Sequence, residues 1–174
     1  LGDWIRRWGL SWGGWIDNRH GEWWLLAQLL LIAAHALPPW PPLAVFDLHW
    51  PLPLAVIGWA LLVLGLLLAA QAFWRLGPSL TPLPDPMPDA PLVTSGAYAR
   101  CRHPLYQAVL LCSLGVTLAL GSLLHLALLL SLVAVLGGKA RREERQLLTL
   151  HPEYTAYRAA TAAIVPHLPW LDWR

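Results

Sequence analysis

Residues 104–144 run PLYQAVLLCSLGVTLAL-GS-LLHLALLLSLVAVLGG-KARREE. From Leu105 to Gly137 there is no Asp, Glu, Lys or Arg, and then the six residues 139–144 bring five charged side chains. Such a run is too long for one upright membrane span and barely enough for two, since fifteen or sixteen residues at ~1.5 Å each reach about 24 Å against a hydrocarbon core of roughly 30 Å. Gly121-Ser122 is the turn signal at its centre. The run therefore predicts a tight hairpin, Leu105–Leu120 and Leu123–Gly137, with a single long tilted helix as the alternative. If it is a hairpin, its two ends lie side by side. One end carries Gly96-Ala97-Tyr98 and Arg102-His103-Pro104-Leu105-Tyr106, the other Glu143-Glu144. Apolar helices account for leucines, but not for a basic-aromatic cluster facing paired carboxylates.

The rest of the chain supports a membrane setting. Of 174 residues, 57% are hydrophobic and 13% charged, about half the charged share of a soluble domain. Two further stretches, Trp23–Leu37 and Leu52–Trp74, also lack Asp, Glu, Lys and Arg. Every Lys and Arg lies before the first stretch, between the second and third, or after the fourth, and none falls at 38–51 or at 121–122. Four spans with both termini cytoplasmic satisfy the positive-inside rule throughout. The expected fold is an all-α polytopic membrane protein with about four membrane-embedded helices. An N-terminal interfacial segment (1–22) precedes a single domain (23–174), which ends in a C-terminal cytoplasmic helical cap.

In the leader, Trp4, Trp8, Trp12 and Trp15 fall within about 80° on a helical wheel, with Asp3, Arg6 and Arg7 elsewhere, as suits a helix in the headgroup layer; Gly13-Gly14 weakens it. Pro38-Pro39-Trp40-Pro41-Pro42 ends the first span and forms an outer loop with Trp40 and Trp50 at the interface. Six prolines between Gly77 and Pro91 predict an extended cytoplasmic loop of the kind that serves as a lid or linker. Past Gly137-Gly138 a polar helix is expected, broken and restarted at His151-Pro152, with Tyr154 and Tyr157 on one face. Trp170 and Trp173 are expected at the interface. His35, His125, Gln28, Gln71 and Gln107 lie in or beside spans and predict helix–helix hydrogen bonds, Gln107 being close enough to the polar cluster to line a pocket there. Cys101 and Cys112 make no disulfide framework, and read as a polar-loop and a core cysteine. Seven histidines show no helical ligand spacing, so no metal site is expected. No cleavable signal peptide is evident, and the lack of an initiator Met suggests a trimmed start.

The order Leu92-Val93-Thr94-Ser95-Gly96-x-Tyr98, Arg102-His103-Pro104-x-Tyr106, two apolar segments, Glu143-Glu144-x-x-Leu147 and Glu153-Tyr154-x-x-Tyr157 resembles the isoprenylcysteine carboxyl methyltransferase family. Phospholipid N-methyltransferases share much of the pattern. The resemblance covers about residues 90–160. It implies an integral membrane methyltransferase, in a bacterial plasma membrane by composition, that uses S-adenosylmethionine. Its partners would be the bilayer and a lipophilic small-molecule acceptor (an isoprenylcysteine-like carboxylate, a phospholipid amine or a thiol), with no nucleic acid. By matching positions it implies cofactor contacts from Leu92, Val93, Gly96, Tyr98, Arg102, His103, Pro104, Leu105, Tyr106, Glu143, Tyr154 and Tyr157. Lys139 stands where an arginine handling the acceptor's polar end is expected; it keeps the charge without the bidentate fork. The stretch Arg158-Ala159-Ala160-Thr161 departs from the basic-Val-Pro ending of carboxyl methyltransferases. An amine acceptor must shed a proton, for which Glu144 or His103 is the candidate. Two rivals follow from the same pattern: an NADPH-dependent enzyme resembling sterol reductases, and a non-enzymatic membrane scaffold that keeps the fold.

Overall fold

The computed structural model describes residues 8–168 and 170–173. Among them there is no strand. The helices are α1 (Trp12–Asp17), α2 (Glu22–Ala34), α3 (Leu52–Leu76), α4 (Pro104–Leu120), α5 (Leu123–Leu150) and α6 (Tyr154–Ala160), with single 3-10 turns at Leu43–Phe46, Gly77–Ser79 and Gly96–Ala99. Leu52–Ser79 and Leu123–Leu150 are long and apolar enough to cross a membrane, while α2 and α4 are shorter apolar helices.

The hairpin forms where Gly121-Ser122 interrupts the leucines. Gly121 adopts φ +57°, closing α4 in the left-handed region that glycine enters without strain, and a Cβ there would meet the Trp50 ring at 2.2 Å. Ser122 then caps α5, its Oγ accepting from the His125 amide at 3.4 Å. The outer loop sits on this turn: Trp50 Nε1 donates to Leu118 O at 2.6 Å and Leu124 N donates to Trp40 O at 3.0 Å. Just beneath, His35 Nε2 lies 2.6 Å from Ser113 Oγ, and His125 bridges Ser122 Oγ and His35 O at 2.8 and 3.2 Å. These polar groups tie α2, α4 and α5 together.

α4 packs antiparallel to both α3 and α5, and α2 lies along α5. The α3–α4 contact is a seam of small residues. Gly58 and Gly65 on α3 face Gly115, Ala119, Ala108 and Cys112 on α4, letting two backbones approach as small residues do in membranes. A Cβ on Gly115 would stand 2.6 Å from Leu62 N and 2.7 Å from Gly58 O, backbone atoms that cannot step aside. Gly115→Val is therefore expected to destabilise by at least ~1–3 kcal/mol, the range of overpacking, read as a lower thermal midpoint in detergent. Gly13→Ala, where nothing lies within 4 Å, serves as the neutral control.

Three sequence expectations change. The polar segment after Gly137-Gly138 is not a separate helix: α5 runs unbroken to Leu150. The two glycines are helical and make room for indoles, since Cβ atoms there would meet Trp173 at 3.1 Å and Trp24 at 2.3 Å. Trp173 is accordingly buried in the core with Leu132, Leu136 and Ile164 and does not rest at the interface, whereas Trp170 is exposed. Among the described residues of the leader the helix is Trp12–Asp17, begun by Ser11 and stopped by Asn18 at φ +52°. Trp12 and Ile16 project outward from it; Asp3, Trp4, Arg6 and Arg7 lie outside the described residues.

Candidate active site

The segment entering α4 is locked to the carboxyl-terminal chain before the helix starts. Arg102 N and His103 N donate to Ala162 O and Ala163 O at 2.9 and 3.1 Å, and Cys101 Sγ donates to Ala163 O at 2.8 Å. Cys101 is thus buried, unlike the loop cysteine expected, and burial pushes its thiol up to about 11. His103 occupies the N-cap position and Pro104 the first turn, where its missing N–H costs nothing. This fixes the imidazole beside Tyr106, stacked at 5.1 Å and 4°.

The two ends of the hairpin do meet. Tyr106 OH donates to Glu143 Oε2 at 2.8 Å, and His103 Nδ1 lies 3.7 Å from the same oxygen. These groups line a cavity of about 330 Å³ among α2, α3, α4, α5, α6 and the Pro-rich connection. Leu92, Val93, Tyr98, Arg102, His103, Leu105, Tyr106, Lys139, Glu143, Tyr154 and Tyr157 line it; Gly96, Pro104 and Glu144 do not. Gly96 turns the chain at φ +65° beneath the Arg75 side chain, and Pro104 is buried in the helix start. Gln107 also lies elsewhere, on the opposite face of α4, its Nε2 donating to Ile164 O at 3.0 Å.

The adjacent glutamates have opposite environments. Glu143 is partly exposed to the cavity, and among the described residues its Oε1 accepts no hydrogen bond. Glu144 is 2% exposed and faces the protein. Its Oε1 accepts from Arg102 Nε and pairs with His103 Nε2, both at 2.8 Å, while Arg158 Nε stands 2.9 Å from Oε2 as an ion pair without hydrogen-bond alignment. Arg102 Nη1 donates to Arg158 O and to Thr161 O, and Asp172 stands 3.7 Å away. Glu144, considered for a proton-accepting role, does not line the cavity; its carboxylate packs against Arg102, His103 and Arg158. Arg102 Nη2 is buried without a hydrogen-bond partner among the described residues, on a side chain that borders the cavity.

Lys139, one turn before Glu143, is buried. Its Nζ donates to Gln28 Oε1 at 2.7 Å and Pro82 O at 2.8 Å, and stands 5.3 Å from the Tyr106 ring centre. Both acceptors are neutral, and the opposite charge that favours the ammonium against its burial is the nearby Glu143 carboxylate. Pro82 belongs to the connection that roofs the site. That roof is pinned by a bidentate Arg142–Asp85 pair at 2.7 and 3.1 Å, and by Pro84 packed under Gly21. Burial, with Glu143 nearby, pushes the Tyr98 phenol above its ordinary range; burial does the same to Tyr154 and Tyr157. All three stay protonated donors, Tyr157 OH donating to Tyr98 O at 2.6 Å.

Sequence reasoning missed Gln28, Pro82, Arg158 and Asp172 as parts of this assembly. Gln28 had a signal, as a lone amide in a span of leucines. Pro82 contributes only a backbone carbonyl, which no side chain announces.

The chain is similar to the cobalt-zinc-cadmium resistance protein CzcN of Cupriavidus metallidurans, 43% identical over 82 residues, which is 44% of this chain and 36% of that protein. The chain thus covers only about a third of the length of that relative. A family model described as phospholipid methyltransferase matches residues 54–163, from the start of α3 through α6 to the Ala162-Ala163 strap. That match takes in well over half of the chain and every helix that lines the cavity except α2, so the chain belongs to the phospholipid methyltransferase family.

Proposed function

We propose that this chain is an integral membrane methyltransferase that takes its methyl group from S-adenosylmethionine and delivers it to a lipophilic acceptor. In this reading α2, α3, α4 and α5 are embedded in a bacterial plasma membrane with both termini cytoplasmic, as the placement of Lys and Arg favours. The observation that carries it is the meeting of His103 and Tyr106 from α4 with Glu143 from α5 in one cavity, beside three tyrosines.

The residues suit the cofactor's groups. The cavity, about 330 Å³, falls at the lower end of the ~300–1,000 Å³ typical of small-molecule sites. Glu143 Oε1 can accept from an ammonium or from ribose hydroxyls. Arg102 Nη2, otherwise an orphaned buried donor, can meet a carboxylate. Tyr98, Tyr154 and Tyr157 offer aromatic faces to a base or a sulfonium, a contact of about 0.5–2 kcal/mol. S-adenosylmethionine would supply an electrophilic methyl group on sulfur. The protein then has to align and dehydrate the reactants. Leu92, Val93 and Leu105 supply apolar wall, and the Pro82–Asp85 roof excludes water. Lys139 favours an acceptor whose nucleophile is anionic, a carboxylate or a thiolate, which needs no general base. A protonated amine would be repelled by the same ammonium.

Isothermal titration of the purified protein in detergent tests this. Saturable binding of S-adenosylmethionine without binding of NADPH is expected. Binding of NADPH in its place would favour the reductase-like reading, and binding of neither would favour a scaffold.

A further inference from the structure

We infer that an anionic membrane phospholipid binds in a groove on the face of α4 opposite the cavity, its acyl chain along the leucines and its phosphate on Arg100. The groove encloses about 860 Å³. Its walls are Leu64, Leu67 and Leu68 of α3 and Leu129, Leu130 and Val133 of α5, and its floor is Leu110, Leu111 and Leu114 of α4. On α4 the groove takes Gln107, Leu110, Leu111 and Leu114, whereas the cavity takes Leu105, Tyr106 and Val109. At ~100° per residue these sets point to opposite sides of the helix. The groove is therefore a second site and not an extension of the first.

The groove exists because of how the helices pack. α3 and α5 both lie along α4, and it is α4 that joins them. The glycine seam draws α3 tightly onto one side of α4, leaving a leucine-lined trough between α3 and α5. From Gln107 to Leu114 the trough descends roughly 10 Å along α4, about a third of a ~30 Å hydrocarbon core. Water has no place in such a trough, and a straight acyl chain fits it.

The polar end identifies the headgroup. At the end where α4 begins, the groove is bordered by Arg100, Gln71 and Gln107, and closed by Ile164, Val165 and Leu171. Arg100 is exposed, and its side chain forms no ion pair or hydrogen bond with any described residue. Among the described residues no Asp or Glu lines the groove. A guanidinium without a carboxylate, above an apolar slot that opens at the membrane surface, is complementary to a phosphate carrying net negative charge. The Gln107 Nε2 is already committed to Ile164 O, but its Oε1 and the whole Gln71 amide remain to meet glycerol or headgroup hydroxyls.

The inference depends on membrane embedding and is independent of which cofactor or acceptor the cavity takes. Native mass spectrometry of the full chain in detergent, titrated with phosphatidylglycerol and separately with phosphatidylcholine, tests it. One retained phosphatidylglycerol per chain is expected, with phosphatidylcholine retained markedly less. Arg100→Gln is expected to weaken phosphatidylglycerol retention about fivefold, while Arg100→Lys restores most of it. Leu111→Trp, filling the floor, is expected to remove the adduct, and Glu143→Gln, in the cavity, to leave it unchanged. Equal retention of both lipids by the native chain and by Arg100→Gln would overturn the proposal. So would a Leu111→Cys variant that crosslinks efficiently to a second copy in the membrane, since the groove would then be a protein interface. Loss of the adduct in Glu143→Gln would place the lipid in the cavity and overturn it as well.

Discussion

Glu144→Ala is expected to lower the stability of this protein by about 3–5 kcal/mol, the range for removing one partner of a buried ion pair. In a chain of 174 residues that corresponds to a drop of roughly 6–20 °C in thermal midpoint. The Arg102 side chain is fully buried and its Nε donates to Glu144 at 2.8 Å. Without the carboxylate, a guanidinium would remain in the interior with two backbone carbonyls and the more distant Asp172 for compensation. The imidazole of His103 would lose the partner that fixes its ring, so cofactor affinity should fall with stability. Glu144→Gln keeps the shape and one acceptor oxygen, and should cost less. Replacing both partners, as Arg102→Met with Glu144→Leu, should recover much of the lost stability, because an apolar pair of similar volume avoids the desolvation of both ions. Thermal unfolding in detergent followed by tryptophan fluorescence reads all four proteins. A Glu144→Ala protein with the native midpoint but no turnover would mean that this carboxylate acts in chemistry and not in architecture.

Residues 104–144 disclose the hairpin because two physical signals coincide there: an uncharged run of spanning length and a Gly-Ser pair at its centre. The meeting of His103 with Glu143 follows from that topology alone, since an antiparallel pair of similar arms must bring its ends together. What stayed hidden is rotational. The pair Glu143-Glu144 looks symmetrical in a string of letters, but neighbours on a helix point ~100° apart, so one faces the cavity and the other the protein. Gln107 was misjudged for the same reason: four residues from His103, yet turned to the far side of α4. The unbroken course of α5 through Gly137-Gly138 was also hidden. Glycine there is a packing choice dictated by Trp24 and Trp173, which are distant in sequence and meet the helix only in the folded chain. The roof was legible as a proline-rich connection. Its fastening by Asp85 to Arg142 and by Pro82 O to Lys139 was not, because these contacts join segments more than fifty residues apart.

Glu143→Ala should behave in the opposite way to its neighbour. Its carboxylate is more than a quarter exposed and receives one hydrogen bond, from Tyr106 OH, so its removal breaks no close ion pair with a Lys or Arg and should shift stability by less than ~1 kcal/mol. The affinity for S-adenosylmethionine should fall roughly 30–150-fold, the equivalent of about 2–3 kcal/mol for a charge-assisted hydrogen bond in a partly dehydrated site. Tyr106→Phe removes only the hydroxyl that orients Glu143 and keeps the ring stacked on His103, so a loss of about fivefold is expected, near the ~1 kcal/mol of a neutral donor. His103→Ala removes both the stacked ring and a partner of Glu144, and should therefore lose affinity and stability together. Isothermal titration and thermal unfolding on the same preparations separate the two quantities. The division of labour between the adjacent carboxylates requires that Glu143→Ala lose binding at a nearly native midpoint, while Glu144→Ala loses the midpoint itself. If both substitutions moved both quantities alike, the two side chains would belong to one network, and Glu143 could not be assigned to the ligand.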